Sequence, residues 1–382
     1  MPQPHELIYR ADCRHFVGER PCVHKRECAD CPHFDEFGTR ILIIKLGATG
    51  DVLRTTPILR PLRRKYGKCH VTWMVDEVAA PLLKHNPLID KVLTPDLGAA
   101  MRLLAQDFDL LICLDKEDVA IGLATQVRAK TKLGYGMTPQ GTLTAFNPES
   151  EYAIMLGISD ELKFRVNQKT YQQIIFEMLG LEYRADEYAL FLPPPALEWA
   201  GEMRGRLGLE SRTVIGLNTG AGPRFAGKAW PISHLIECCR VLGHRPGTAV
   251  LLLGGPDEVE RNQAIMRQVD GNVADAGCDH SLTRFAALIG LCDAVVVGDT
   301  MAMHLAIAQQ KPIVVLFGST CPQEIDLYGR GRKIVADIEC APCYLRTCPI
   351  QEKCMKSITP QQVADTVFEL LDQSPAPTTS AL

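Results

Sequence analysis

The sequence predicts an α/β protein made of two doubly wound domains that face each other across a cleft. Three observations predict it. Arg40–Pro57 reads RILIIKLGATGDVLRTTP, and Val297–Thr320 reads VGDTMAMHLAIAQQKPIVVLFGST. Each combines an apolar strand, a tight glycine or polar turn and the start of a helix, the unit that turns backbone N–H groups and a helix N-terminus towards a phosphate. Each also carries an acid in its turn, Asp51 and Asp299. Around both units, apolar runs alternate with helix-length segments, which implies parallel sheets with right-handed crossovers.

Taken in order, residues 1–39 are a Cys/His-rich leader with little periodic pattern. Ile41–Leu46 is a continuous apolar run, as expected of a strand buried on both faces. A helix is expected from Asp51 to about Tyr66, then strands at Val71–Val75, Lys91–Leu93 and Leu110–Leu114. From about Lys132 to Val166 the glycines and prolines suggest a loop-rich segment beside the cleft. Tyr171–Leu179 reads as helix. Leu192-Pro193-Pro194-Pro195 is the expected linker between domains 40–192 and 196–358, because three prolines stiffen the chain and break a helix. In the second domain, strands are expected at Thr213–Leu217, Ala249–Leu253, Ala294–Val297 and Ile313–Phe317. Helices are expected near Ser233–Leu242, Asp257–Val269, Ser281–Leu291 and Thr300–Gln309. A last helix occupies 359–373, with Thr359-Pro360 as its cap and first-turn proline, and the tail 374–382, SPAPTTSAL, reads as disordered.

Composition narrows the function. The chain has 382 residues, 46% apolar and 23% charged, with a formal net charge of −4. That charge gives no general field for nucleic acid. No apolar run is long enough for a membrane span, and the N-terminus lacks the apolar core of a signal peptide, so a cytoplasmic location is expected. Fifteen cysteines are many for such a protein. Cys69, Cys113, Cys238, Cys239, Cys278, Cys292 and Cys321 lie among apolar residues and read as core. The other eight fall in two clusters. Cys13, Cys22, Cys28 and Cys31 are spaced C-x8-C-x5-C-x2-C; Cys340, Cys343, Cys348 and Cys354 are spaced C-x2-C-x4-C-x5-C. Four thiolates suit zinc, iron or an iron–sulfur cluster; the second four read equally as partly buried free thiols. His15, His24 and His33 are spare donors in the leader, whose few apolar residues would leave folding to a metal.

Two further stretches complete a pattern: NTGAGPRFAGKAWP at Asn218–Pro231 and LLLGGPDE at Leu251–Glu258. With GDVLRTTP and with GDTMAMHLA followed by VVLFG, they resemble the heptosyltransferase-like glycosyltransferases, family 9 of the GT-B group. The resemblance runs from about Arg40 to about Leu371. It implies a GT-B architecture of two Rossmann-like domains. It also implies an inverting transfer of a sugar, a heptose, from a nucleoside-diphosphate donor to a lipopolysaccharide-core, glycolipid or polysaccharide acceptor. ADP-heptose is the favoured donor, and no cofactor is required for the chemistry.

The resemblance makes Asp51 the general base that takes the acceptor hydroxyl proton; by position alone it reads equally as a helix N-cap. Lys228 would stabilise the leaving diphosphate, where a solvated loop lysine is the alternative, and Arg224 is a weaker candidate for that role. Thr300 and His304 would hold the diphosphate at a helix N-terminus. Asp299 and Glu258 would orient donor hydroxyls, Glu258 from the ribose side. Thr219, Gly220, Gly254 and Gly255 would let the donor lie close to the backbone. Met301 departs from the family pattern, which has a small residue there. Asp107-Phe108-Asp109 matches a metal-binding acid pair but lies in the wrong half for the donor. Arg54, Arg60, Arg63, Arg64, Lys65 and Lys68 would either form a solvated helix face or steer a membrane-borne acceptor, with peripheral association at the inner membrane. Because the last helix of a GT-B protein crosses back to the first domain, the two cysteine clusters would be neighbours. Two other functions fit less of the pattern: a GT-B-shaped sugar-nucleotide epimerase, and a metal-stapled, non-catalytic binding protein. The sequence leaves the oligomeric state open.

Overall fold

Each long apolar run becomes a strand buried on both faces. The computed structural model describes residues 8–222, 227–345 and 348–373. The first domain contains β1 (Thr39–Ile44), β2 (Cys69–Met74), β3 (Lys91–Leu93), β4 (Asp107–Cys113), β5 (Arg128–Met137) and β6 (Leu143–Ala145). They form one six-stranded sheet in the order β3-β2-β1-β4-β5-β6, parallel except for the antiparallel β5–β6 pair. The register sets Ile41 of β1 beside Val71 and Leu110.

The second domain contains β7 (Thr213–Asn218), β8 (Thr248–Leu253), β9 (Val273–Asp275), β10 (Ala294–Gly298), β11 (Ile313–Phe317) and β12 (Gly331–Val335). Their order is β12-β11-β10-β7-β8-β9, parallel throughout. Period-two alternation sends Val295, Val297, Val315 and Phe317 into one core and Val296, Val314 and Leu316 into another, as a strand covered by helices on both sides requires.

Three expectations are corrected. The segment 132–166 is not loop-rich: it holds most of β5, then β6, and the helices Glu151–Ile158 and Leu162–Val166. Gly134 and Gly136 belong to a strand because neighbours approach too closely for a side chain. A Cβ on Gly134 (φ +92°) would lie 1.9 Å from the Cys113 carbonyl oxygen, and one on Gly136 would lie 2.4 Å from the Phe146 ring.

The proline run is not a helix-breaking linker. Pro193 is the N-cap of helix Pro194–Arg206, and Pro194 and Pro195 fill its first turn, where a missing N–H costs nothing. The join lies just before it. Ala189 packs in the first core, while Tyr188, Leu190 and Leu192 pack in the second, so an extended segment shares its alternate side chains between the domains.

The last helix, Pro360–Gln373, does not cross back. Val363, Ala364, Val367 and Leu370 make one apolar stripe, and all four are buried in the second domain's core with Leu235, Cys238 and Leu242. A partner for that stripe is already present on its own domain, in the helix Ile232–His244. No helix among the described residues is long and apolar enough to cross a membrane.

Candidate active site

The carboxyl ends of β1 and β10 face each other, and three adjoining cavities run between them. One, of about 430 Å³, is lined by Gly220, Gly254, Gly255, Glu258, Thr300 and Met301. The central one, of about 460 Å³, is lined by Asp51, Arg54, Lys228, Asp299, Thr300 and His304. The third, on the first-domain side, is lined by Lys45, Asp51, Arg54, Asp115, Lys116 and Tyr171. Thr300 and Met301 line both the first and the second; Asp51 and Arg54 line both the second and the third. Together they form one cleft, with Asp51 in the middle of it.

On the first domain, the turn after β1 is fixed from beneath by Asp115, which follows β4. Its Oδ2 accepts from the amides of Leu46 at 3.0 Å and Gly47 at 3.3 Å, and from Lys45 Nζ at 3.1 Å. Asp51 then stands in the first turn of helix Thr49–Thr55, whose N-cap is Ala48, so Asp51 is not the N-cap residue; its carboxylate accepts from the Ala48 amide. Arg54 Nε pairs with Asp51 Oδ1 at 2.9 Å, and Arg54 Nη1 reaches Glu324 of the second domain at 3.8 Å. The guanidinium lies 3.9 Å from the centre of the Tyr171 ring. Burial opposes ionisation of Asp51, but Arg54, Lys45 and His304 outweigh it, so its carboxyl lies below the ordinary value. It is a carboxylate at neutral pH and free to accept a proton.

On the second domain, Lys228 Nζ lies 3.1 Å from Asp299 Oδ2 and donates to the Asp299 carbonyl at 3.3 Å. Against the cost of burial, Lys228, His304 and the Thr320 hydroxyl hold the Asp299 carboxyl down. Asp299 is therefore the counterion that positions Lys228. Thr300 is the N-cap of helix Met301–Ala308, yet its hydroxyl makes no capping bond. Thr300 Oγ1 is buried and has no hydrogen-bond partner. A buried hydroxyl left unpaired is costly, and this one lines the two cavities that a donor would span.

His304 sits where the domains touch. Its Nδ1 lies 3.1 Å from Tyr188 Oη, and its ring packs on Gly50, where a Cβ would be 2.4 Å from His304 Cδ2. Only glycine allows the two helices to approach so closely. Burial, with Arg54 adding to it, pushes the imidazole down to about 4, against the pull of Asp299 and Asp51. Below its ordinary value of 6.5, the unfolded chain takes up a proton that the folded cleft refuses until about pH 4. Stability must therefore fall as pH drops through that window, by at most about 1.4 kcal/mol per pH unit. The lowered Asp51 and Asp299 carboxyls add a loss only at still lower pH, through the carboxylate range. His304→Gln is expected to flatten the melting temperature against pH between about 6.5 and 4.5; an unchanged slope would assign it to another group.

In the donor-side cavity, Glu258 Oε2 accepts from the Gly255 amide at 2.8 Å. Gly220 leaves room for that carboxylate: a Cβ there would lie 1.8 Å from Glu258 Oε1. Thr219 is a correction. It is 1% exposed, and its hydroxyl donates inward to Asn262 Oδ1 at 2.6 Å, so it shapes the turn and does not face the cleft. Arg224 lies outside the described residues.

Of the basic run, Arg60, Arg64, Lys65 and Lys68 are exposed, as a solvated helix face requires, and their cations are also used as internal ties. Arg64 makes two bonds to Asp186, at 2.6 and 2.7 Å. Arg63 bonds Asp90 and the Leu88 carbonyl, Arg60 the Glu187 carbonyl, Lys65 the Gly180 carbonyl and Lys68 Asp35. Asp107 and Asp109 pair with Arg128 and Lys130, away from any donor. The residues that the sequence reading missed are Lys45, Asp115 and Tyr188; Arg54 reads there as part of a basic run and not as the partner of Asp51. Asp115 had a signal, as an acid directly after an apolar strand; Tyr188 had none.

The seven core cysteines are all buried. The two clusters are not neighbours: each lines its own cavity, the leader's with His15, His24 and His33 and the other with Gly318 and Ser319. As the side chains stand, no three Cys, His, Asp or Glu among the described residues converge to hold a metal ion.

Residues 100–354 match the model of glycosyltransferase family 9 (heptosyltransferase). The chain belongs to this family. As a family 9 glycosyltransferase it is 25% identical over 303 residues to lipooligosaccharide heptosyltransferase 2 of Haemophilus influenzae, a match covering 74% of this chain and 84% of that one. Its fold is shared with a family 9 glycosyltransferase of Veillonella parvula, at a TM-score of 0.71 and 21% identity over 89% of this chain and 99% of the other. It is likewise shared with the ADP-heptose lipopolysaccharide heptosyltransferase II of E. coli, at 0.64 and 21% over 88% and 99%. The fold shared over these spans is the GT-B arrangement of the two six-stranded sheets described above.

Proposed function

We propose that this glycosyltransferase moves a heptose from ADP-heptose onto a lipopolysaccharide-core acceptor, with inversion at the anomeric carbon. The observation that carries the reading is the central cavity: a carboxylate from one domain, Asp51, shares it with a cation from the other, Lys228. The nucleoside takes the cavity of Gly220, Gly254, Gly255 and Glu258, with Glu258 accepting from the ribose hydroxyls. The diphosphate lies across Thr300, whose unpaired hydroxyl donates to it, and beside Lys228. The acceptor enters from the third cavity. Asp51 takes the hydroxyl proton as that oxygen attacks the anomeric carbon; the bond to the diphosphate breaks on the far side and ADP leaves, its new charge met by Lys228. His304, neutral at physiological pH, holds the two helices together and offers one N–H to the donor. The names of the relatives support heptose, ADP and lipopolysaccharide. With such an acceptor the enzyme works at the cytoplasmic surface of the inner membrane. The thiols of Cys340, Cys343, Cys348 and Cys354, around one small cavity behind the turn after β11, suit a structural zinc or iron and take no part in the transfer.

Thermal denaturation against a panel of nucleotide sugars tests the donor. A ligand that binds only the folded chain adds about 2.7 kcal/mol at a hundredfold excess over its Kd. ADP and ADP-heptose are expected to raise the melting temperature most. A larger shift with UDP- or GDP-sugars would overturn the donor, and conversion of the donor without an acceptor would identify an epimerase.

A further inference from the structure

The leader makes its inside from cysteine and histidine where other segments use apolar side chains. Residues 10–37 contain no helix and no strand, and pair in ladder fashion only at the isolated bridge between Cys13 and Glu36. Between residues 8 and 38, Cys13 alone is buried. Cys22, Cys28 and Cys31 are half-buried, while Pro21, Val23, Glu27, Ala29, Asp30 and Pro32 beside them are exposed, so the thiols are turned inward. Three of them open tight turns: Phe16 donates to the Cys13 carbonyl at 2.9 Å, Lys25 to Cys22 at 2.9 Å and Phe34 to Cys31 at 3.1 Å. All four are free thiols and line one cavity with His15, His24 and His33. The His24 ring lies 4.8 Å from that of His15 and 4.1 Å from that of His33, and His24 Nε2 is buried with no partner. A segment this short, without a core, needs another source of stability.

We infer that Cys13, Cys22, Cys28 and Cys31 hold one thiolate-bound metal centre, zinc or an iron–sulfur cluster, that folds the leader into a module of its own. The donors share a cavity without converging on a point, and binding would draw them in, as coupled metal binding and folding does. The buried, unpaired His24 Nε2 lines the same cavity as the four thiols, where an N–H can support a bound thiolate.

The anchors of the module place it away from the chemistry. Arg14 pairs with Asp35 at 3.4 Å and with Asp90, and Lys68 pairs with Asp35 at 2.6 Å. Lys68 and Asp90 directly precede β2 and β3, at the amino ends of the strands, whereas Asp51 lies beyond the carboxyl end of β1. The centre is a staple at the far end of the sheet, and sugar transfer does not depend on it.

The test is elemental and sulfide analysis with visible spectra of the full chain, purified with and without air. Three forms are compared: the unchanged chain, Cys28→Ser/Cys31→Ser and Cys340→Ser/Cys343→Ser. The first double variant is expected to lose the leader's centre. The second is expected to keep the leader's centre and to lose only metal held by Cys340 and Cys343, so the N-ethylmaleimide protection of the leader thiols survives in the second and not in the first. Zinc without colour, or iron with sulfide and an air-sensitive brown absorption, separates the two chemistries. In the unchanged chain the leader thiols should resist N-ethylmaleimide until a chelator is added. Metal-free protein in both preparations, or equal metal in the first double variant and the unchanged chain, would overturn the inference. A nucleotide-induced melting shift retained in that variant shows that the two main domains are folded, and a loss of turnover there would overturn the placement away from the chemistry.

Discussion

Asp51→Asn is expected to lower turnover by roughly 10²–10⁴-fold, the usual worth of a positioned base, and to leave nucleotide-sugar affinity unchanged. The side chain of Asn fills the same space in the first turn of its helix, and Ala48 rather than Asp51 is the cap, so the helix keeps its start. Arg54 loses one partner and keeps Glu324. The effect should therefore appear in kcat, with little change in melting temperature. Kinetics alongside donor titration checks it: wild-type kcat in the variant would remove Asp51 from the mechanism, and a loss confined to KM would make it a binding residue.

Lys228→Ala carries the second large effect. Loss of a preorganised charge that meets a developing anion costs roughly 10²–10³-fold in kcat, and nucleoside diphosphates should bind more weakly as well. A second consequence follows from the pair with Asp299. Their side chains are 15% and 20% exposed, so the carboxylate left behind is poorly solvated and the protein should lose stability. The loss should be smaller than the roughly 3–5 kcal/mol of a fully buried broken pair. Adding Asp299→Asn should restore the melting temperature without restoring turnover. Recovery of turnover in the double variant would mean that Lys228 serves only to neutralise Asp299.

The parts of the fold legible in the sequence were those with a one-residue logic. β1, β4, β10 and β11 are near-continuous apolar runs because both of their faces are covered. β9 and β12 sit at the sheet's edges and are only partly buried, so they carry no such run. β5 was hidden by its glycines, which mark a close approach that only the folded neighbours reveal. The stripe of the last helix announced that it packs, but a stripe does not name its partner, and the second domain supplied one nearer than the first. In the cleft, Asp51, Lys228, Asp299, Thr300 and His304 stand in or just after turns with local signatures, and the structure brings them around one cavity. Thr219 does not serve the donor because its amide is spent on the Leu253 carbonyl and its hydroxyl on Asn262, far along the chain. Arg54 and Tyr188 act through contacts between the domains, Arg54 with Glu324 and Tyr188 with His304, and no local pattern encodes such a pair.

The most direct test is a single-turnover incubation of ADP-heptose with a heptose-free lipopolysaccharide-core glycolipid, followed by NMR of the product. One ADP released for each sugar transferred, with the anomeric configuration inverted, is the result that Asp51 and Lys228 on opposite walls of one cavity predict. A retained configuration would contradict attack assisted by Asp51 from the acceptor side, and so would ADP-heptose altered equally well with no acceptor present.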